Sequence, residues 1–192
     1  MSESRTYPDE ASGPFPSPPT TFEDRDGRTI AIHGAAKFTD DAITDVVEMY
    51  DQFDPSDRAQ GIPPTGEDRI RNWLETIADD SISVMARHDG AVTGHAMLVP
   101  DAEDPSSIED LNEIEWELAI FVLQEYQRAG IGTELLEHLL GYASDQGISR
   151  VWLTVERWNT PAIGLYERVG FERTGSETFE QEMGIRLEGA SE

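Results

Sequence analysis

Apolar residues recur along this chain with two periods, and the switches between them mark out strands and helices. Residues 28–33 alternate well enough to predict a first strand, and in 40–53 Ile43, Val46, Val47 and Tyr50 fall at helical spacing behind Asp40, a candidate N-cap. The next stretch, 54–66, holds Pro55, Gly61, Pro63, Pro64 and Gly66, which forbid regular structure across it. A helical pattern resumes in 67–78 through Ile70, Trp73, Leu74 and Ile77. Two apolar runs, 81–87 and 91–99, are joined through His88, Asp89 and Gly90, and Asp-Gly between such runs predicts a β-hairpin. His95 lies mid-strand and reads as a packed strand residue rather than a catalyst.

After a polar, acidic loop over 100–112 the pattern becomes denser. Residues 117–122 are nearly continuous apolar sequence, as expected of a strand buried on both faces. A glycine-punctuated loop over 127–132 follows, then a helix over 133–144, a second buried strand over 150–156 and a second helix ending near Tyr166 and Gly170. A last strand is expected over 178–187, with Gly184 as a candidate bulge.

The loop Gln127-Arg128-Ala129-Gly130-Ile131-Gly132-Thr133 carries the chemistry. Its glycines let backbone N–H groups approach an anion closely, and the start of a helix adds a favourable dipole, so a pyrophosphate can sit there without a metal. A P-loop is excluded because no Gly-Lys-Ser/Thr follows. A dinucleotide fingerprint is excluded because its third glycine falls at Leu135. The next helix then brings Asn159, Ala162, Tyr166, Gly170 and Phe171 at regular spacing.

These two blocks, on consecutive strand and helix units, resemble the GNAT superfamily of N-acetyltransferases. Gln127-x-x-Gly130-x-Gly132 is similar to its pyrophosphate-binding motif, and Asn159-x-x-Ala162-x-x-x-Tyr166-x-x-x-Gly170-Phe171 to its second block. The resemblance is close over 117–171, and the predicted elements from 28 to 187 follow the family's order. It implies an α/β (α+β) fold: a mixed, mostly antiparallel, twisted sheet of six or seven strands flanked by about four helices. It also implies acetyl-CoA as acyl donor, with no metal. The amides of Arg128, Ala129, Gly130, Ile131, Gly132 and Thr133 would hold the pyrophosphate, and Ile120, Phe121 and Val122 would face the pantetheine arm and acyl carbonyl. Asn159 would contact the cofactor arm, although before Pro161 it also reads as a helix N-cap. Tyr166 would be the general acid that protonates the departing thiolate, since a phenol of pKa ~10 is protonated at neutral pH. At its helical spacing it also reads as a core aromatic.

The attacking amine must be neutral, and an alkylammonium has a pKa of ~10, so a base is expected. By resemblance it is a glutamate on the strand before the cofactor loop. Glu117 is the first candidate and Glu115 the second, on the same face of that strand; plain surface acidity is the competing reading of both.

Composition narrows the setting. In 192 residues there are 39 acidic and 14 basic side chains, for a net charge of −25, and Lys37 is the sole lysine. Carboxylates hold water and cations where salt would otherwise drive a protein out of solution, and scarce lysine spares apolar stems. The balance resembles proteins of salt-accumulating halophiles, where a Debye length of ~3 Å mutes the self-repulsion. Such a surface argues against sequence-independent nucleic-acid binding. With no cysteine there is no disulfide framework and no thiol nucleophile, which points to the cytoplasm. No apolar run approaches the ~20 residues of a membrane span, and residues 1–10 lack the apolar core of a signal peptide. Residues 1–26, rich in Pro, Ser, Asp and Glu, are expected to be a flexible or loosely docked arm, leaving 27–188 as one domain.

The leading expectation is thus an N-acetyltransferase acting on a primary amine, either a protein lysine or N-terminus or a small amine, by direct attack in a ternary complex. The competing one is a non-catalytic acyl-CoA-binding or sensing module of the same fold. Dimers are common among relatives, so a homodimer is compatible with either.

Overall fold

Thr20–Glu23 (β1), Thr29–Ala35 (β2), Ile82–His88 (β3), Ala91–Pro100 (β4), Trp116–Val122 (β5), Arg150–Glu156 (β6), Glu172–Ser176 (β7) and Glu180–Arg186 (β8) form one sheet in the order β1-β2-β3-β4-β5-β6-β8-β7. This is a computed structural model, and it describes residues 5–35, 38–54, 56, 63–176 and 178–189. Every neighbouring pair is antiparallel except β5 and β6. Four helices flank the sheet: Asp40–Asp51 (α1), Glu67–Ala78 (α2), Ile131–Asp145 (α3) and Thr160–Val169 (α4). The expected fold class holds, with eight strands rather than six or seven.

The extra strands have no alternating apolar signature. β1 lies inside the segment read as an arm and is held by its backbone ladder to β2. β7, Glu-Arg-Thr-Gly-Ser, is an edge strand whose identity comes from β8 beside it. The irregularity expected at Gly184 lies instead on β7, between Arg173 and Gly175, while Gly184 pairs regularly with Trp152. Its missing side chain has another use: a Cβ there would stand 3.3 Å from the Tyr7 ring. At α1 the cap is Thr39, whose Oγ1 accepts from Ala42 N at 3.2 Å, and not Asp40, which is the first helical residue. The Asp89-Gly90 turn has φ of 50° and 85°, the doubly left-handed pair that a tight hairpin needs.

The N-terminal segment is strapped to the domain at several points. The Arg5 guanidinium lies 3.5 Å over the Trp152 ring and pairs with Asp101 at 2.7 Å and Glu115 at 2.9 Å. Ser12 bridges to Leu187, and the Pro16 carbonyl crosses α3 at Gly141, where any Cβ would stand 2.0 Å from its oxygen. Phe15 and Phe22 pack against the core under α3 and α4, and backbone bonds, the Arg5 guanidinium and the missing side chain at Gly141 complete the attachment.

Two cores lie on opposite faces of the sheet. One joins α3 and α4 to Ile120, Val122, Val151, Leu153 and Val155. The other joins α1 and α2 to Met85, Val92 and Phe121. Strand alternation sends Ile120 and Phe121 to different cores, so β5 separates two chemically distinct spaces.

Candidate active site

The parallel pair β5 and β6 is joined only at Trp116↔Val151 and Glu117↔Trp152. Beyond those two rungs the strands part, and a cleft of about 600 Å³ opens between them. The edge of β5 beyond Glu117 that faces β6 is therefore left outside the ladder, with backbone groups available to a ligand.

The loop leaving β5 closes one end of the cleft. Gln127 Nε2 donates to the Val122 carbonyl at 3.0 Å, folding the loop back on the strand it leaves. Arg128 (φ 61°) and Gly130 (φ 93°) then take left-handed conformations, which turn the chain into α3 with no side chain capping its first amides. Arg128, Gly130, Gly132 and Thr133 line the cleft, while the side chains of Ala129 and Ile131 are buried beneath it. Uncapped amides at a helix start attract an anion through both their hydrogens and the dipole.

Guanidinium groups reinforce this. Arg25 and Arg168 join Arg128 along the cleft, in a chain of net charge −25. None of the three makes an ion pair among the described residues. Arg25 comes from the N-terminal segment; its N–H donates to the Ala129 carbonyl at 3.0 Å and its Nη1 to the Arg128 carbonyl at 3.4 Å. Periodicity could not have singled out Arg25 or Arg168, since nothing in their local pattern marks them.

On α4, Asn159 Oδ1 accepts from Ala162 N at 3.3 Å, so Asn159 is the N-cap, and it lines the cleft as well. Ala162 and Tyr166 line it too. Tyr166 is 9% exposed and meets Phe171 edge-on, with ring centroids 5.8 Å apart. Burial pushes its phenol up to about 12, so it carries its proton throughout the neutral range.

Neither glutamate picked from the sequence is among the lining residues. Glu115 is held by Arg5 at 2.9 Å and stands 4.0 Å from Arg150. Glu117 is exposed on a paired rung at the closed end of the cleft, its carboxyl raised by desolvation and then by the charge of Asp101, against the opposing pull of Arg5. The acidic residue that does line the cleft is Glu156, at the last position of β6. Strand patterning gave no reason to select it, because the widening of β5 from β6 is a long-range property.

The wall facing the α1 side is aromatic. Phe53 and Phe121 meet at 5.8 Å, and Tyr50 meets both. Behind them His95, fully buried, lies 2.6 Å by Nδ1 from Tyr50 Oη and 3.0 Å by Nε2 from Ser83 Oγ. His95 is thus a packed strand residue, paired across the ladder with Phe121. The loop expected to shape an acceptor pocket falls partly outside the described residues, at 55 and 57–62.

With this geometry in hand, comparison with known proteins is decisive. A model of the acetyltransferase (GNAT) family matches residues 44–171. The chain belongs to that family. It is 33% identical to an uncharacterized N-acetyltransferase of Mycobacterium bovis over 108 residues, which are 56% of this chain and 64% of that one. The GNAT chain thus spans just under two thirds of that relative. It is 46% identical over 52 residues to the [ribosomal protein bS18]-alanine N-acetyltransferase of Escherichia coli, 27% of this chain and 35% of that one. The crystal structure of the GNAT domain of S. lividans PAT superposes with a TM-score of 0.71 at 19% identity, covering 88% of this chain and 97% of that one.

Proposed function

We propose that this GNAT protein transfers an acetyl group from acetyl-CoA to a primary amine, by direct attack with both substrates bound. The observation that carries the reading is the content of one cleft: uncapped α3 amides flanked by Arg25, Arg128 and Arg168 at one end, and a buried, protonated Tyr166 beside them. The diphosphate of the donor suits the amides, and its remaining phosphate suits a guanidinium. The unpaired edge of β5 offers main-chain groups to the amide-bearing arm, which brings the thioester between the strands.

Attack by the amine nitrogen forms a C–N bond at the acetyl carbon, and the C–S bond then breaks. The CoA thiolate takes its proton from the Tyr166 hydroxyl. No covalent enzyme intermediate is needed, in keeping with a chain that has no cysteine. The names of the Mycobacterium bovis and Escherichia coli relatives support N-acetyl transfer, and the alanine acceptor of the latter favours a protein or peptide amine over the smaller amines.

The test is Tyr166→Phe. A proton donor in the transition state contributes about 10²–10⁴-fold, so thiol release from acetyl-CoA with an amine acceptor should fall by that order while acetyl-CoA affinity stays within about twofold. A variant that keeps the wild-type rate removes Tyr166 from the chemistry. Absence of turnover in both proteins, with affinity intact, is the outcome of a sensing module.

A further inference from the structure

We propose that Glu156 takes the proton of the acceptor amine, and that the acceptor accordingly reaches the cleft as a cation from the face of the sheet opposite α3 and α4. This rests on the acetyl-transfer reading above. The cleft passes through the sheet. Val151, Leu153 and Val155 of β6 belong to the core under α3 and α4, so alternation puts Trp152, Thr154 and Glu156 on the other face. Phe121 of β5 lies on that face too, against Phe53.

The two openings of the cleft therefore differ in charge. On the helix side stand α3 amides and three guanidinium groups, suited to a polyanion. On the other side stand Phe53, Phe121, Thr154 and Glu156, two aromatic rings and a carboxylate, suited to an ammonium carried on an apolar stem. Glu156 is half-buried, and no side-chain hydrogen bond or ion pair engages it among the described residues.

Distance separates Glu156 from the sequence-derived base. Glu117 pairs with Trp152, four residues back along β6, which is about 13 Å at ~3.3 Å per residue. Both cannot touch one amine. The charged groups nearest Glu156 in the sheet are Glu180, opposite it on β8, and Glu182, opposite Thr154; Arg168 of α4 lines the same cleft. Glu182 is itself paired with Arg5 at 3.4 Å, so a cation also stands on this face of the sheet.

The ammonium gives one proton to the Glu156 carboxylate, which passes it to solvent, and desolvation between Phe53 and Phe121 loosens that proton beforehand. The neutral nitrogen attacks the acetyl carbon. Its second surplus proton leaves as the tetrahedral species collapses, and replaces the one Tyr166 has given to the thiolate. One ammonium and one thioester become one amide, one thiol and one proton.

The test compares wild type, Glu156→Gln, Glu156→Asp and Glu117→Gln. Each is titrated with acetyl-CoA by calorimetry and assayed for thiol release with an alanine-initiated peptide, a lysine peptide and spermidine. Expected is a loss of 100-fold or more in kcat/KM for Glu156→Gln, partial activity for Glu156→Asp, change within threefold for Glu117→Gln, and unchanged acetyl-CoA binding in all. A Glu156→Gln rate within threefold of wild type overturns the proposal. So does a wild type that binds acetyl-CoA and turns over none of the three acceptors. Failure to bind acetyl-CoA at all overturns the acetyl-transfer reading itself.

Discussion

Tyr50 Oη lies 2.6 Å from His95 Nδ1, and both residues are fully buried. The imidazole is neutral there, because burial lowers its pKa to about 3. A neutral ring has one N–H; Tyr50, the stronger acid, donates to Nδ1, which leaves Nε2–H to donate to Ser83 Oγ at 3.0 Å. Replacing Tyr50 with Phe strands a buried ring nitrogen, at a cost of about 1–3 kcal/mol. At this chain length each kcal/mol lowers Tm by about 2–4 °C, which a thermal melt of Tyr50→Phe reads directly.

The same histidine sets a pH dependence. Its folded pKa lies below the unfolded value of ~6.5, so the unfolded chain binds more protons between the two. Its contribution is complete above pH ~6.5 and drains away as pH falls toward about 3, by at most ~1.4 kcal/mol per pH unit. Urea midpoints measured from pH 7 to 4 should fall more steeply for wild type than for His95→Gln.

Gly141 is the point where the N-terminal segment crosses α3. A Cβ at that position would sit 2.0 Å from the Pro16 carbonyl oxygen, a backbone atom that cannot swing away. Gly141→Ala should leave the α3 helix intact and displace the segment. Limited proteolysis would then cut near residues 12–19 at least tenfold faster than in wild type; equal rates would show that the strap is not held there.

Arg25 reaches the cleft from outside the 44–171 match to the family. Arg25→Ala should weaken acetyl-CoA binding about threefold to tenfold at low salt, the scale of one charge-assisted contact. The difference should shrink in molar KCl, where the Debye length is ~3 Å. Arg173→Ala, which removes a surface pair with Glu167 at 2.9 Å, is the matched control and should leave affinity unchanged.

With 39 acidic and 14 basic residues, self-repulsion opposes folding at low ionic strength. Raising KCl from about 0.1 M to about 2 M should raise Tm by several degrees through screening alone. A Tm that falls over that range would remove the basis for a salt-adapted surface.

Much of this was written in local pattern. The helices, the hairpin at Asp89-Gly90, and the loop from Gln127 to Thr133 follow from periodicity and from residues that favour left-handed backbone. What escaped was non-local. β1 and β7 exist because a neighbouring strand completes their hydrogen bonds, and neither carries an apolar alternation of its own. Glu115 and Glu117 come from the stretch that leads into the cofactor loop, but β5 and β6 stay paired at the level of Glu117 and separate only beyond it. Glu156, Arg25 and Arg168 come together through that separation and the strapped N-terminal segment, and no spacing along the chain encodes either.

Every role proposed for the cleft depends on the start of α3 gripping the diphosphate of an acyl-CoA. Gly130 has φ of 93° with open space around its Cβ position, so alanine there would strain the turn without a clash. Calorimetric titration of acetyl-CoA into wild type and Gly130→Ala in concentrated KCl is the direct measurement. Saturable one-site heat in wild type, with affinity lowered about tenfold or more in Gly130→Ala, is the predicted result. No heat in wild type, or equal affinity in the two, would contradict it.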